Sequence, residues 1–402
     1  MAIVTHILGD CPGCGGRNTY GNVMIPGGEY VFRGCGQCSY SSKVYLPELR
    51  KKVVYLDQFL LSGAFRGGDS RFAEVVERVS KMCSLQLLVA PYSSVHEDET
   101  HLWRGHDGRS HAHLMDFIKQ TSRGSEFKSS HEVERTQIIK GFQAFLAGNP
   151  AGYLLEERDA IEGDIHGWDD YYRIEVGQYM GDIEEIRRLK AQAVQMLVDV
   201  FDDWQQSINT FEQDLALEIA DAGRFYVQAY LEFVQRIGHG DYAALLNSPV
   251  MSMVVENMRY CLPRNTPLEA ALTKCVEFFA TEHFAQLPSE WLSARIYATQ
   301  KGMVKRGAYA NRETAINRLS GYFYDVKHIA TYAPYCDAFF MDQAMADLVR
   351  QPTIKLEQRY GTRVFSLNNL DDFLAWLDDL EVGMTPDHIA GLRNAYPNRF
   401  GG

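Results

Sequence analysis

The sequence predicts an α/β protein with a parallel sheet flanked by helices, a long all-α insertion and a small N-terminal cysteine-rich module. Three observations predict this arrangement. Two Cys-x2-Cys pairs lie near the N-terminus, strand and helix patterns alternate on both sides of the middle, and the middle itself has few strand signals. We therefore expect units at 1–50, 51–109, 110–287 and 288–402.

Composition restricts the classes of protein to which the chain can belong. It has 402 residues, of which 46% are hydrophobic and 23% charged, which is typical of globular proteins and excludes disordered or fibrous classes. We find no long apolar run and no N-terminal signal segment, so we expect a cytoplasmic protein without a membrane partner. The net charge of −12 argues against a simple nucleic-acid binder, although 1–52 contains six basic and only three acidic residues.

The N-terminal module contains the pairs Cys11/Cys14 and Cys35/Cys38, with 20 residues between the pairs. This spacing is typical of a zinc ribbon, in which four thiolates surround one structural Zn²⁺. Two disulfides are the alternative, but the chain lacks the secretion signal of an oxidising compartment. A thioredoxin-type redox pair is disfavoured because no βαβ pattern surrounds the cysteines. A closed site of four cysteines leaves no position for a substrate, so we expect this module to stabilise the fold.

The first α/β half follows the cysteine module. A β-branched strand over 52–57 ends in Asp57, and residues 70–84 have apolar positions at helical spacing. An apolar run over 85–90 predicts a second strand, and the next helix begins with an acidic stretch that includes Glu97. Strand, helix, strand and helix in this order predict functional groups at the carboxyl ends of the strands.

The middle of the chain predicts a helical layer. Its clearest pattern covers 204–237, where apolar residues recur every three or four positions from Trp204 through Ile208 to Ile237. We interpret this aromatic stripe as core.

Strand signals return after Pro288. The predicted helices cover 289–300, 313–322, 325–333 and 343–350, and another begins at 368. The predicted strands are 336–341, which is followed by Asp342, and 362–366.

Carboxylates therefore occupy comparable places in both halves. Asp57 and Asp342 end strands, whereas Glu97 and Asp325 lie near the starts of helices. Clustered carboxylates repel one another unless a hard cation such as Mg²⁺ or Mn²⁺ neutralises them. From the pattern alone, each acid has a structural alternative: Asp57 as a turn residue, and Asp325 and Asp342 as helix caps.

Several segments in the correct order resemble PIN-domain nucleases, over roughly 50–105 and 288–380. The resemblance rests on Val54–Ser62, Leu87–Glu97, Asp325–Ala333, Phe339–Asp342, Thr362–Ser366 and Asp371–Phe373. It implies a PIN-like domain in which Asp57, Glu97, Asp325 and Asp342 bind catalytic Mg²⁺ or Mn²⁺. The long insertion departs from the family pattern, and Asp98, Glu99 or Asp337 can replace Glu97 or Asp342.

The function that this resemblance implies is a metal-dependent endonuclease, with RNA favoured over DNA as substrate and products that carry 5′-phosphates. The alternative is a non-catalytic scaffold that binds nucleic acid or protein through the zinc ribbon and a degenerate PIN fold. The helical insertion offers a surface for a protein partner, and self-association into a homo-oligomer stays open. A basic patch is the predicted substrate surface, alongside the ribbon. It consists of Lys301, Lys305, Arg306 and Arg312.

Overall fold

A computed structural model describes most of the chain. The described residues are 3–24, 29–103, 105, 108–168, 183–241, 250–309 and 311–400. Within them, no helix is long and apolar enough to cross a membrane.

The N-terminal unit is a four-stranded antiparallel sheet in sequential order. Its strands are β1 (His6–Gly9), β2 (Tyr20–Met24), β3 (Tyr30–Cys35) and β4 (Ser41–Tyr45). Gly21 pairs with Gly34 across β2 and β3, and a Cβ at Gly21 would lie 1.8 Å from the His6 carbonyl oxygen, so β1 approaches too closely for any other residue.

The second sheet is parallel and has the strand order β6-β5-β7-β8. Its strands are β5 (Lys52–Leu56), β6 (Leu88–Val89), β7 (Ala338–Phe340) and β8 (Arg363–Phe365). Residues from the two halves of the sequence meet at its centre, where Leu56 is in register with Phe340. The predicted parallel sheet flanked by helices is confirmed.

Helices cover this sheet and form a separate layer beside it. In residues 51–168 they are α1 (Gln58–Arg66), α2 (Ser70–Ser84), α3 (Ser94–Leu102), α4 (His111–Thr121) and α5 (Ser130–Leu146). The middle contains α6 (Ile183–Gln206), α7 (Phe211–Gly238), α8 (Val250–Tyr260), α9 (Leu268–Phe279) and α10 (Glu282–Ala285). The last part contains α11 (Pro288–Lys305), α12 (Arg312–Tyr332), α13 (Gln343–Val349), α14 (Leu356–Tyr360), α15 (Leu370–Val382), α16 (Pro386–Ala395) and α17 (Pro397–Phe400). Single 3₁₀ turns occur at Glu157–Asp159, Ala333–Tyr335 and Leu367–Asn369.

Both faces of the parallel sheet are buried, because alternate residues of each strand point to opposite faces. Val54 and Leu56 of β5 pack in one core with α2 and α15. Val53 and Tyr55 pack in a second core with α11, α12 and α13. This double burial explains why β5 has a continuous apolar sequence instead of an alternating one.

The helical layer has its own core and begins later than the predicted boundary at 110. Leu114 and Ile118 of α4 belong to the core beneath α1 and α2, and Phe127 belongs to the opposite core of the sheet. The separate core starts with Ile138 and Phe142 of α5 and continues into α7, α8 and α9.

Three predicted elements differ from the structure. The run 85–90 forms only the two-residue strand β6, because a turn with Gln86 at a φ of +60° separates α2 from it. The helices predicted at 313–322 and 325–333 are the continuous α12. The stripe predicted over 204–237 is interrupted between α6 and α7, where Ile208 is 97% exposed.

Candidate carboxylate site and cysteine cluster

The four cysteines of the N-terminal sheet converge on one point. Their sulfur atoms all lie within 4.8 Å of one another, with 3.7 Å between the Sγ atoms of Cys11 and Cys38 and 3.8 Å between those of Cys14 and Cys35. Disulfide sulfurs are about 2.05 Å apart, so these pairs are not disulfides. Four sulfurs about 2.3 Å from a tetrahedral Zn²⁺ would be about 3.75 Å apart. These four residues can therefore bind a structural metal such as zinc.

The surrounding backbone donates hydrogen bonds to sulfur atoms of this cluster and favours a thiolate at Cys35. The amide of Gly13 donates to Cys11 Sγ at 3.3 Å, and the amide of Gln37 donates to Cys35 Sγ at the same distance. The hydroxyl of Thr19 lies 3.3 Å from Cys35 Sγ, and this contact, with the amide bonds, lowers the pKa of Cys35 to about 6. A thiolate is the form that coordinates zinc.

A second cluster consists of carboxylates at the carboxyl edge of the parallel sheet. Asp57 directly follows β5, and its amide donates to the carbonyl of Phe340 at 3.0 Å, which continues the ladder between β5 and β7. Asp342 lies two residues after Phe340 on the adjacent strand. The structure therefore brings these two predicted residues to the same point of the sheet, as parallel strands require.

Two further acids, which lie on helices, influence the pKa of Asp57. Burial raises the pKa of Asp57 well above its ordinary value, and the charges of Asp325, Glu99 and Asp342 raise it further. All four side chains are half-buried. Asp325 lies in the second half of α12, so it is not the helix cap that its sequence context allowed.

Glu97 has a different environment from the one predicted. Its carboxylate lies 3.6 Å from Lys119 Nζ of α4, and its charge acts on Glu126. On α3, Glu99 is the acid whose charge acts on Asp57.

The alternative acid Asp337 lies at the amino ends of the parallel strands, opposite to the carboxylate cluster. Its carboxylate pairs with Lys52 Nζ at 2.7 Å and accepts from the amide of Val53 at 2.8 Å. It therefore fastens the amino end of β7 to β5.

His96 explains the position of Glu99. Sequence reasoning gave Glu99 as an alternative to Glu97 but missed the role of His96. The amide of Ser93 donates to His96 Nδ1 at 2.9 Å, so the proton is on Nε2, which donates to the carbonyl of Leu56 at 2.8 Å. Burial lowers the pKa of His96 to about 4 and keeps the ring neutral. Because residues three apart share a helix face, this bond turns Glu99 toward the end of β5. A His three positions before an acid, near the start of a predicted helix, was the available signal.

The carboxylates of this cluster stand farther apart than the cysteine sulfurs. Among the described residues, only the four cysteines form a group of three or more metal-binding side chains whose ligand atoms lie within 4.8 Å of one another. Because like charges repel, the four carboxylates, which belong to four different elements, lie apart from one another.

The predicted basic patch at 301–312 is largely used inside the fold. Lys301 pairs with Glu218 and Lys305 with Asp214, and the two lysine side chains are only 13% and 15% exposed. Arg312 pairs with Asp202 at 3.2 Å. Three of the four residues thus join α6 and α7 to α11 and α12. Of the four, only Arg306 is exposed and has no ion pair with a described residue.

Other cations lie beside the carboxylate cluster. Arg66 at the end of α1 and Arg109 near Phe65 form no ion pair with any carboxylate that the structure describes. Arg66 lines a cleft of about 310 Å³ whose walls include Gln58, Glu99 and Trp103. Arg318 lies on α12 two turns before Asp325. Burial raises the pKa of Tyr322, and the positive charge of Arg318 opposes that rise.

Comparisons with protein-family models, curated proteins and solved structures give no match for this chain.

Proposed function

We propose that the protein is a divalent-metal-dependent nuclease with a PIN-like α/β domain. Its reacting carboxylates are Asp57, Asp325 and Asp342, as the resemblance implies, with Glu99 in place of Glu97. The single observation that carries the proposal is that Asp57 and Asp342 follow adjacent parallel strands at the same end of the sheet, where the charges of Asp325 and Glu99 also reach Asp57. Acids from four separate elements that meet at the carboxyl edge of a parallel sheet are an arrangement suited to a hard cation.

The donor set suits Mg²⁺ or Mn²⁺. All four side chains offer carboxylate oxygens, which these ions prefer, and they are half-buried, so an ion there keeps access to water. Mg²⁺ usually retains several waters and binds only one or two carboxylates directly. The separation of the acids is therefore compatible with a site in which waters complete the coordination shell.

The chemistry follows from the charges at the site. A bound divalent cation would lower the pKa of water and stabilise the negative charge that develops on the phosphate. Asp57 directly follows β5 at the carboxyl end of the sheet, and burial together with the neighbouring acids raises its pKa, which strengthens it as a base, so it is our candidate base for the attacking water. In-line attack would break the phosphodiester and leave a 5′-phosphate on one product.

Charge distribution supports nucleic acid as the substrate despite the net charge of −12. Arg66, Arg109 and Arg318 have no carboxylate partner within the described chain. Arg66 lines the same cleft as Glu99, and Arg318 influences the pKa of Tyr322 together with Asp325 and Asp342. Cations that have no carboxylate partner can bind the phosphates of a nucleic acid. RNA is our first choice because the resemblance favours it, and DNA is the alternative.

The experiment that tests this proposal measures cleavage of single-stranded RNA and DNA with Mg²⁺ or Mn²⁺. We expect Asp57→Asn and Asp342→Asn to lower the rate by at least about a hundredfold. The matched control is Asp337→Asn, an acid at the other end of β7, which should keep nearly full activity.

Equal cleavage by the wild type and Asp57→Asn would exclude the proposed site. No cleavage by folded wild-type protein with either metal would favour the non-catalytic scaffold. In that case the ribbon and helical layer would remain as binding surfaces, and the carboxylates would be a remnant.

A further inference from the structure

The cleft beside the carboxylates has the dimensions of a subsite for a single nucleoside. Its volume of about 310 Å³ is at the lower end of small-molecule sites, which occupy about 300–1,000 Å³. Its walls come from α1, α3 and α4 and include Gln58, Leu102 and Leu114. Glu99 belongs both to these walls and to the acids that act on Asp57. A group bound in the cleft therefore lies next to the carboxylate cluster.

Trp103 gives this cleft an aromatic wall. Its ring is half-buried and is held edge-to-face by Phe65, with 6.0 Å between ring centroids. A ring held on one side in this way is preorganised for stacking with a base, and stacking tolerates every base because each has a π-face.

Gln58 supplies a polar group at the same wall. Its Nε2 donates to Thr100 Oγ1 at 3.0 Å, whereas its Oε1 is buried without a hydrogen-bond partner in the described part of the chain. Buried acceptors are normally satisfied, so an orphan acceptor at a cleft indicates a ligand that donates. The Watson–Crick edge of every base includes an N–H donor, and this edge is free only in a single strand.

One cation lines the cleft, and a second packs on the residue behind its aromatic wall. Arg66 is one of its lining residues and is exposed, with hydrogen bonds only to Ser62 of its own helix among the described residues. Arg109 packs against Phe65, with 5.0 Å from the guanidinium carbon to the ring centroid. The Arg66 charge at the cleft remains available to a phosphate next to a bound nucleoside.

We propose that this cleft binds one unpaired nucleotide of a single-stranded nucleic acid, stacked on Trp103 and placed next to the phosphate that the carboxylates approach. The inference rests on the proposed nuclease function and adds a selection for single strands over duplexes. A base-paired nucleotide would not enter, because its edge is occupied and its faces are stacked.

The test uses full-length protein with Asp57→Asn, so that the probe stays intact. Anisotropy measures its affinity for a short fluorescein-labelled single-stranded RNA and for a hairpin duplex of the same length. We expect tighter binding of the single strand. Trp103→Ala should weaken that binding about tenfold, and Trp103→Phe, which keeps an aromatic face and the packing on Phe65, should retain most of it.

Arg66→Gln should weaken binding severalfold and lower the salt dependence by about one counterion. The matched control is Arg71→Gln, an arginine at the start of the next helix that is already paired with Asp69 at 2.8 Å. It should leave the affinity unchanged.

The proposal is overturned if folded Trp103→Ala binds the single strand as tightly as the parent, or if hairpin and single strand bind equally. This failure is distinct from that of the nuclease proposal. If the wild type cleaves nucleic acid but Trp103→Ala has an unchanged KM, only the cleft is misassigned. If the wild type cleaves nothing while single-strand binding depends on Trp103, the cleft stands and the nuclease proposal fails.

Discussion

Asp57 and Asp342 each cap the helix that follows one of two adjacent parallel strands. Asp57 Oδ1 accepts from the amide of Phe59 at 3.4 Å, and Asp342 Oδ1 accepts from the amide of Met345 at 2.9 Å. Asp342 therefore has the capping role that its sequence context allowed, whereas Asp57, for which that context allowed a turn, caps α1. The same bonds hold the two carboxylates at one edge of the sheet, so the structural role and the proposed chemical role are compatible.

We expect Asp57→Asn to stabilise the protein while it removes the proposed activity. Asparagine caps helices as well as aspartate does. The substitution also removes a charge that burial, Asp325, Glu99 and Asp342 all disfavour, so the free energy of unfolding at pH 7 should rise by about 1 kcal/mol. Chemical denaturation without divalent cations measures this change.

The pH dependence has a defined sign. The pKa of Asp57 is raised in the folded state, so its favourable contribution is complete below the unfolded pKa and is lost as pH rises through the folded pKa. The stability gained by Asp57→Asn should therefore grow with pH. The cap residue Asp69 is the matched control: hydrogen bonds from Arg71 lower its pKa, so Asp69→Asn should destabilise the protein, and by less as pH falls. A loss of stability in Asp57→Asn at every pH would contradict the electrostatic description.

Glu99 and Glu97 should differ in function although they are two residues apart. Glu99→Gln removes one of the charges that act on Asp57, and we expect cleavage to fall at least about tenfold. Glu97→Gln breaks only the partly exposed pair with Lys119, which should cost about 0.5 kcal/mol of stability and leave the rate nearly unchanged. Steady-state cleavage by the two variants decides between them, and the reverse order would restore Glu97 as the site residue.

The cysteine cluster should contain one zinc ion per chain, measured by inductively coupled plasma mass spectrometry. We expect Cys38→Ser to lose that ion and to release α16, because Arg33 of β3 donates to Asn394 Oδ1 at 2.9 Å and Asn22 of β2 donates to the Asn394 carbonyl at 3.0 Å. Faster amide exchange over α16 would show this coupling.

The control for the zinc measurement is Cys261→Ser, which changes a cysteine of the helical layer. It should keep the ion. If Cys38→Ser also retains a full equivalent of zinc, the four sulfurs are not the ligands.

Lys305 should be a stability residue and not a substrate residue. Its ion pair joins α11 to Asp214 of α7, whose side chain is only 3% exposed. Lys305→Met would leave that carboxylate buried without its partner, which should cost about 3–5 kcal/mol of stability. The exposed Arg306 is the control, and Arg306→Gln should change stability by less than about 0.5 kcal/mol. Denaturant unfolding and anisotropy together test this assignment, which fails if Lys305→Met lowers RNA affinity but leaves stability unchanged.

The sequence predicted features that depend on local spacing or on strand ends. The Cys-x2-Cys pairs predicted four cysteines that lie together, and this is confirmed. The apolar runs around Val54 and Phe339 predicted buried parallel strands, because a strand buried on both faces has no polar alternation. PIN-like identity and the role of each acid stay predictions.

Other features depended on contacts between distant segments, which spacing does not encode. Lys301 and Lys305 resembled a free basic patch because Glu218 and Asp214, their partners, are on a helix more than eighty residues earlier. The choice between Glu97 and Glu99 required the bond from His96 to Leu56, which turns α3 relative to the sheet. Ile208 followed the helical period but lies in the interval between α6 and α7, where the period no longer applies.

The most direct test of the central claim is calorimetric titration of the full chain with Mn²⁺. We expect the wild type to bind Mn²⁺ at the carboxylate cluster, Asp57→Asn and Asp342→Asn to lose that binding, and Asp337→Asn to retain it. Equal Mn²⁺ binding by the wild type and Asp57→Asn, or no binding by folded wild type, would contradict the claim that these carboxylates form one divalent-cation site.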